Sequence, residues 1–382
     1  MSGLFRQSLN GAPPPPPRPR PQPISISDSD EHSSSDSSAS SADSATSVNT
    51  VRPSSREQLA PPTHWTSYFA QELYLECEDE KQRARYHVYL TPPTDPGKGP
   101  LFICHHGAGA SGLSFAVFAQ DVRKRLPEAG ILSLEARAHG STVSNLDGEP
   151  IVDFSLPALT TDALTMISLT KDTMGWPALP PSVLVGHSLG GAIATQLAVD
   201  YALGNALIGF CVIDVVEGSA IEALQHMQTY LSTRPSLFGS VEEAIQWHTR
   251  SRTIRDAESA KASVPSLLVQ LSSGKYVWRT DLSATSPWWE GWFTGMSQRF
   301  LRGRGAKLLI LAGTDRLDKD LMIGQMQGKF QLTVVPEAGH FVQEDVPDKT
   351  AQLLVEFFKR NDRSAMVLPP KVSDMLAKGM KV

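Results

Sequence analysis

The stretch VGHSLGG (185–191) sets one serine, Ser188, between Gly186 two residues before it and Gly190 two residues after it. A serine hydroxyl is a weak nucleophile until a neighbouring base takes its proton. The flanks supply a setting for that. SVLVGH (182–187) is a β-branched apolar run of strand length, and GAIATQLAVDYAL (191–203) carries small and apolar residues at helical spacing. On a sharp turn between such a strand and helix, the serine Oγ stands clear of the sheet at the helix N-terminus. The glycines allow the backbones to approach closely enough for that turn. The chemistry served is acyl transfer through a covalent intermediate.

Such a nucleophile requires an imidazole base and a carboxylate to orient it. The arrangement resembles the nucleophile elbow of α/β-hydrolases, where the chain order is serine, acid, histidine. His340, in PEAGHFVQEDVPD (336–348), follows the last strand-like run, QLTVVP (331–336), and precedes the amphipathic AQLLVEFFKR (351–360), so it occupies the base's place. His187 adjoins the serine and reads as a packing or locally bonding residue. His105 and His106 belong to the loop HHGAGASG (105–112), and His139, in ARAHGST (136–142), reads as structural. Two aspartates end apolar runs and compete for the acid: Asp214 in CVIDVVEG (211–218) and Asp315 in LLILAGTDRLD (308–318). The commoner placement, after the later strand, favours Asp315, while Asp214 is also geometrically possible. An oxyanion hole is expected from two backbone N–H groups, those of Leu189 and Ala108. Such a donor contributes about 3–4 kcal/mol to lowering the barrier.

The elements that must position these groups follow from periodicity. RARYHVYL (83–90) alternates as a strand. LFICHH (101–106), ILSLEAR (131–137), GFCVIDVV (209–216) and LLILAG (308–313) are short continuous apolar runs, and DALTMISLT (162–170) is helical. Continuous apolar strands alternating with helices predict an α/β fold with a mostly parallel central sheet covered by helices on both faces. The alternation stops between residues 219 and 305, a helix-rich, aromatic span that reads as a cap inserted above the sheet. The hydrolase domain is expected over 61–365, with a C-terminal tail over 366–382. Residues 1–60 hold a proline run and a Ser/Asp-rich segment with almost no large apolar residues, the composition of a disordered tail. Its prolines suit SH3 or WW modules less well than they suit a solvated spacer, and its serines beside Asp28, Asp30 and Asp36 suit an acid-directed kinase.

Composition excludes several classes. The chain has 382 residues, 41% hydrophobic and 20% charged, with a net charge of −5, which gives no global basic surface for nucleic acid. Three scattered cysteines form neither a disulfide framework nor a zinc site and fit a reducing, cytoplasmic or nuclear location. No apolar run reaches signal-peptide or membrane-span length, so neither a leader nor a membrane helix is expected.

IDVVEGSAIEAL (213–224), LLILAGTDRLDKDLMIGQMQGKFQLTVVPEAGH (308–340) and GHSLGGAIA (186–194) resemble the protein phosphatase methylesterase family. EARAHGST (135–142), GLSFAVF (112–118) and WTSYF (65–69) fit the same family, and the resemblance runs from about Trp65 to Lys359. The IGQMQGKFQ stretch is far more specific than the elbow. The resemblance implies removal of the methyl ester from the C-terminal leucine of the type 2A protein phosphatase catalytic subunit, without metal or organic cofactor. It also assigns the acid to Asp214 and leaves Asp315 structural or on the partner surface. One departure is HHGAGASG, where other members are richer in glycine and carry fewer histidines; it falls on the loop that holds Ala108. In SPWWEGWF (286–293), Trp288, Trp289 and Trp292 cluster with Phe293, with Trp288 and Trp292 on one helical face. They read as cap core or as an apolar wall for the leucine. Met322, Gln325 and Met326 offer an adaptable surface or a packed helix. Two rival readings keep part of this pattern: a small-molecule carboxylesterase or lipase, and a non-catalytic phosphatase-sequestering protein.

Overall fold

The computed structural model describes residues 61–313 and 317–362. Asp315 and the segments 1–60 and 366–382 lie outside them. The chain forms β1 (Gln71–Glu78), β2 (Gln82–Thr91), β3 (Leu101–His105), α1 (Ala116–Arg125), β4 (Gly130–Leu134) and β5 (Thr142–Asn145). It continues through α2 (Leu156–Thr173), β6 (Ser182–His187), α3 (Leu189–Val199) and β7 (Leu207–Ile213). Next come α4 (Glu217–Thr233), α5 (Val241–Arg250), α6 (Ala257–Ser263), the ribbon strands β8 (Leu268–Gln270) and β9 (Tyr276–Trp278), α7 (Trp289–Phe293) and α8 (Met296–Arg302). The last elements are β10 (Ala306–Leu311), α9 (Lys319–Met326), β11 (Gln331–Val334), α10 (Val342–Asp345) and α11 (Pro347–Asn361).

The main sheet runs in the order β1-β2-β4-β3-β6-β7-β10-β11, with β5 paired to β2. From β4 to β11 every neighbour is parallel, and β1 and β2 join antiparallel at one edge. This is the α/β-hydrolase architecture that the alternation of runs predicts. The strands are apolar without interruption because both faces are covered. In β3, Leu101 and Ile103 join the core on one face while Phe102 and Cys104 join the other. In β7, Phe210 and Val212 face one way, Cys211 and Ile213 the other. Helices α2 and α3 cover the first face, α1 and α11 the second. Each fully buried Phe, Leu or Ile contributes about 1.5–3 kcal/mol relative to exposure.

The 219–305 span is not one layer. Phe238, Ile245, Ile254 and Leu268 form a small core of their own, with Trp247 and Trp278 against it, and this part includes the β8–β9 ribbon. By contrast, Trp289, Trp292, Phe293, Met296 and Phe300 pack into the core on the α2–α3 face of the sheet. All five are buried, at most 7% exposed, so this part of the span belongs to the core under the sheet and not to a cap above it. Glu217 ties this segment down, accepting from Gly295 N–H at 2.7 Å and from Ser297 N–H at 3.1 Å. Among the described residues no helix is long and apolar enough to cross a membrane.

Candidate active site

Ser188 sits between β6 and α3 with φ 51° and ψ −118°. A positive φ is strained for a residue with a Cβ, and such strain collects at functional sites. The glycines of the motif answer a steric demand. A Cβ on Gly186 would stand 2.1 Å from Gly190 O, and one on Gly190 would stand 2.1 Å from His105 O. Gly186 therefore lets the turn close, and Gly190 lets it sit against the end of β3. Ser188 N–H donates to Ile213 O at 3.0 Å, which locks the turn to β7.

Asp214 begins one residue after β7 and also has a positive φ, 53°. Its N–H donates to Ile310 O and its Oδ1 accepts from Ala312 N–H, each at 2.7 Å. The other oxygen, Oδ2, lies 2.7 Å from His340 Nδ1. The carboxylate is 9% exposed and the imidazole 51%, so the acid is sheltered and the ring opens to the cavity. A carboxylate facing Nδ1 holds the proton there and leaves Nε2 bare as a base.

The loop bearing His340 is held from three sides. Asp345 accepts from Gly339 N–H at 2.6 Å and from Arg255 N–H at 2.7 Å. Arg255 Nη1 in turn donates to Glu337 O at 2.5 Å. His187 donates from Nε2 to His340 O at 2.8 Å, with ring centroids 4.6 Å apart. Burial, then the neighbouring His340, push the His187 pKa well below the usual imidazole range, so it stays neutral and keeps that single proton. His187 thus bonds across 153 residues rather than within its own turn.

A cavity of about 640 Å³ opens over Ser188, with Asp214, His340 and Ala108 on its lining. Leu224, Met227, Leu282, Trp289 and Phe293 make it apolar, while Arg234, Arg252 and Arg255 add cationic groups. Glu344 also faces it; burial pushes this carboxyl well above the usual range, and Ser263 Oγ donates to it at 2.5 Å. The Leu189 and Ala108 N–H groups donate to no protein acceptor among the described residues. A Cβ on Gly107 would lie 3.0 Å from Ser188 Cβ, so the loop carrying Ala108 passes directly beside the nucleophile.

Of the tryptophans in 286–293, Trp289 and Trp292 line the cavity, together with Trp247 and Trp278 from earlier in the inserted span. Trp288 packs edge-on against Phe154, 5.5 Å between centroids, and Trp292 Nε1 donates to Phe154 O at 2.6 Å. Met322, Gln325 and Met326 lie on the outer side of α9; Met322 is 49% exposed and Met326 88%. Among the described residues no group of three or more His, Cys, Asp or Glu side chains is arranged to hold a metal ion. The braces at Asp345, Arg255 and Glu217 carry no signal in residue spacing.

The sequence profile described as the alpha/beta hydrolase family matches residues 102–353. Protein phosphatase methylesterase 1 of Aspergillus fumigatus is 56% identical over 353 residues, covering 88% of this chain and 84% of the relative. Its namesake from Emericella nidulans is 58% identical over 342 residues, covering 86% and 84%. Among solved structures, E-2-(acetamidomethylene)succinate hydrolase superposes with a TM-score of 0.58 at 18% identity, over 76% of this chain and all of that one. That last likeness concerns the fold alone.

Proposed function

The chain belongs to the protein phosphatase methylesterase family of α/β-hydrolases, and from that membership we propose that it removes the methyl ester from the C-terminal leucine of a type 2A protein phosphatase catalytic subunit. The observation that carries the reading is the Asp214–His340 pair, 2.7 Å apart, on the lining of the apolar cavity into which Ser188 is turned.

In this reading His340 Nε2 takes the Ser188 proton as Oγ attacks the ester carbonyl. Asp214 keeps the Nδ1 proton in place and stabilises the imidazolium. The tetrahedral oxyanion is received by the N–H groups of Leu189 and Ala108. His340 returns its proton to the leaving methoxide, which departs as methanol. Water, activated by the same imidazole, then cleaves the acyl-enzyme and restores Ser188. The apolar wall formed by Leu224, Met227 and Phe293 suits a leucine side chain, and the cationic groups suit a peptide whose other residues are polar or acidic.

The test is methyl loss from intact methylated phosphatase. Wild type is expected to release the methyl group and Ser188→Ala to release none. Equal rates from the two proteins overturn the serine mechanism. A wild type active on aryl esters but inert on the phosphatase overturns the substrate.

A further inference from the structure

Ala108 is flanked by two peptide units, and a histidine grips each. His106 donates from Nδ1 to Gly107 O at 2.8 Å. Gly109 N–H donates to His139 Nε2 at 2.9 Å. Gly107 C=O and Ala108 N–H belong to one planar trans unit, so they point in opposite directions. The same carbonyl accepts from Ala110 N–H at 3.1 Å, and fixing it against His106 and Ala110 aims the Ala108 N–H the other way. The Gly109 bond fixes the following unit, and together they leave Ala108 no torsional freedom.

Each ring is committed at both nitrogens. His106 Nε2 accepts from Ala136 N–H at 3.1 Å, and His139 donates from Nδ1 to Arg137 O at 2.9 Å. Carbonyls only accept and backbone amides only donate, so the tautomers follow from the partners. Both rings are buried, 5.0 Å apart. The turn that delivers His139 is strained, with Ala138 at φ 59°, and Thr280 of the inserted span donates to Ala138 O at 2.8 Å. Gly109 has φ 76°, and a Cβ there would stand 2.6 Å from Leu282 Cδ1.

We infer that His106 and His139 are positioning residues of the oxyanion hole, aiming the Ala108 N–H at the carbonyl oxygen that Ser188 attacks. The inference rests on the serine-hydrolase reading above. It gives the buried His106 and His139 a purpose: their bonds add to the Ala110–Gly107 turn in holding the loop. Burial, the first cause, lowers both pKa values to about 4, so both rings remain neutral in the tautomers that the bonds require.

The experiment measures kcat and KM on a p-nitrophenyl ester, and affinity for a trifluoromethyl ketone, whose serine adduct carries the oxyanion. For His139→Leu, kcat falls about 10- to 100-fold, part of the 10²–10³ that a lost oxyanion donor costs. KM stays within threefold, and ketone affinity falls with kcat. His139→Gln, which keeps an acceptor near the Nε2 position, regains most of the turnover. His106→Asn, which keeps a donor near Nδ1, does the same relative to His106→Leu. A folded His139→Leu with kcat within threefold of wild type overturns the inference. If the leucine variants do not fold, a folded His139→Gln with its turnover lost overturns it equally, and one with turnover kept supports it. Ser188→Ala runs in parallel: if it too keeps turnover, the nucleophile reading has failed, whereas a dead Ser188→Ala beside an unaffected His139→Leu sinks the bracing alone.

Discussion

Asp214 and His340 stand 126 residues apart in the chain and 2.7 Å apart in space. The carboxylate gets there by leaving β7 with a positive φ and anchoring its second oxygen on Ala312 N–H, at the end of β10. It thus spans the gap between its own strand and the one where the fold more often puts its acid. Asp214→Asn keeps an oxygen for Ala312 and loses the charge that holds the imidazole. Turnover is expected to drop by about 10⁴, the size of the tautomer effect in a serine protease, with little change in melting temperature. Rates and thermal melts of the purified variant check this; an active Asp214→Asn moves the acid elsewhere.

Ser188→Gly separates strain from chemistry. A residue held at φ 51° costs on the order of 1–3 kcal/mol, which glycine relieves against roughly 1 kcal/mol of added unfolded-state entropy. Esterase activity vanishes while stability to urea stays level or rises. A marked fall in the unfolding midpoint contradicts the strained turn.

Much of this was legible in the sequence because the demands are local. Gly186 is dictated by contacts under 3 Å with Gly190 and Gly191 in its own turn, so there the motif and its geometry are nearly the same information, whereas Gly190 answers to His105 and His106 at the end of β3. The parallel sheet was legible because runs such as LFIC and FCVI admit no solvated face. Spacing left the acid open, since it gives Asp214 and Asp315 the same position at a strand end; the family resemblance pointed to Asp214, and the path of the loop after β7 brings that residue to His340. The inserted span was half legible. Spacing puts Trp288 and Trp292 on one helical face, yet α7 begins at Trp289, after a 3-10 turn containing Pro287. Both indoles still converge on Phe154, but Trp289 and Trp292 reach the cavity. The partners of His187, His106 and His139 depend on tertiary approach, which no local pattern records.

Acid should unfold this protein early. Burial lowers His105 to about 3, and His106, His139 and His248 to about 4, against about 6.5 in an unfolded chain. Folded pKa values below the unfolded value mean that the unfolded chain binds more protons. The stabilisation is complete above pH 6.5 and is lost as pH falls toward 4. Each ring costs on the order of 1 kcal/mol between pH 7 and 5.5. Glu135 and Glu344, raised by burial, act in the opposite sense and offset part of the loss. The unfolding free energy from urea titrations should be lower at pH 5.5 than at pH 7; an equal or higher value at pH 5.5 contradicts a net loss from the buried imidazoles.

Glu217→Ala should loosen the inserted span from the sheet. The carboxylate serves two backbone donors at the start of α8, and hydrogen bonds to a charged group contribute about 1.5–3 kcal/mol. A melting temperature lower by several degrees is expected, with activity retained at low temperature. An unchanged melt shows that the apolar packing of Trp292, Met296 and Phe300 holds α8 without the tether.

The cavity wall can decide between a phosphatase tail and a generic ester as substrate. Met227 lies on α4, faces the cavity and is only partly buried, so a polar replacement disturbs the fold little. Met227→Glu puts a carboxylate into the apolar space proposed for the leucine side chain and beside whatever acidic groups the tail brings. A short aryl ester occupies only the space over Ser188 and should not reach that wall. The expected result is a KM for the methylated phosphatase raised at least tenfold, about 1.4 kcal/mol of lost binding, with kcat/KM on p-nitrophenyl acetate within threefold of wild type. Steady-state kinetics on both substrates with one protein preparation check the split. Loss on both alike means that α4 shapes the reacting centre itself and favours the small-molecule esterase. Loss on neither removes the α4 face from substrate binding and leaves the wall at Trp289 and Phe293 to hold the leucine.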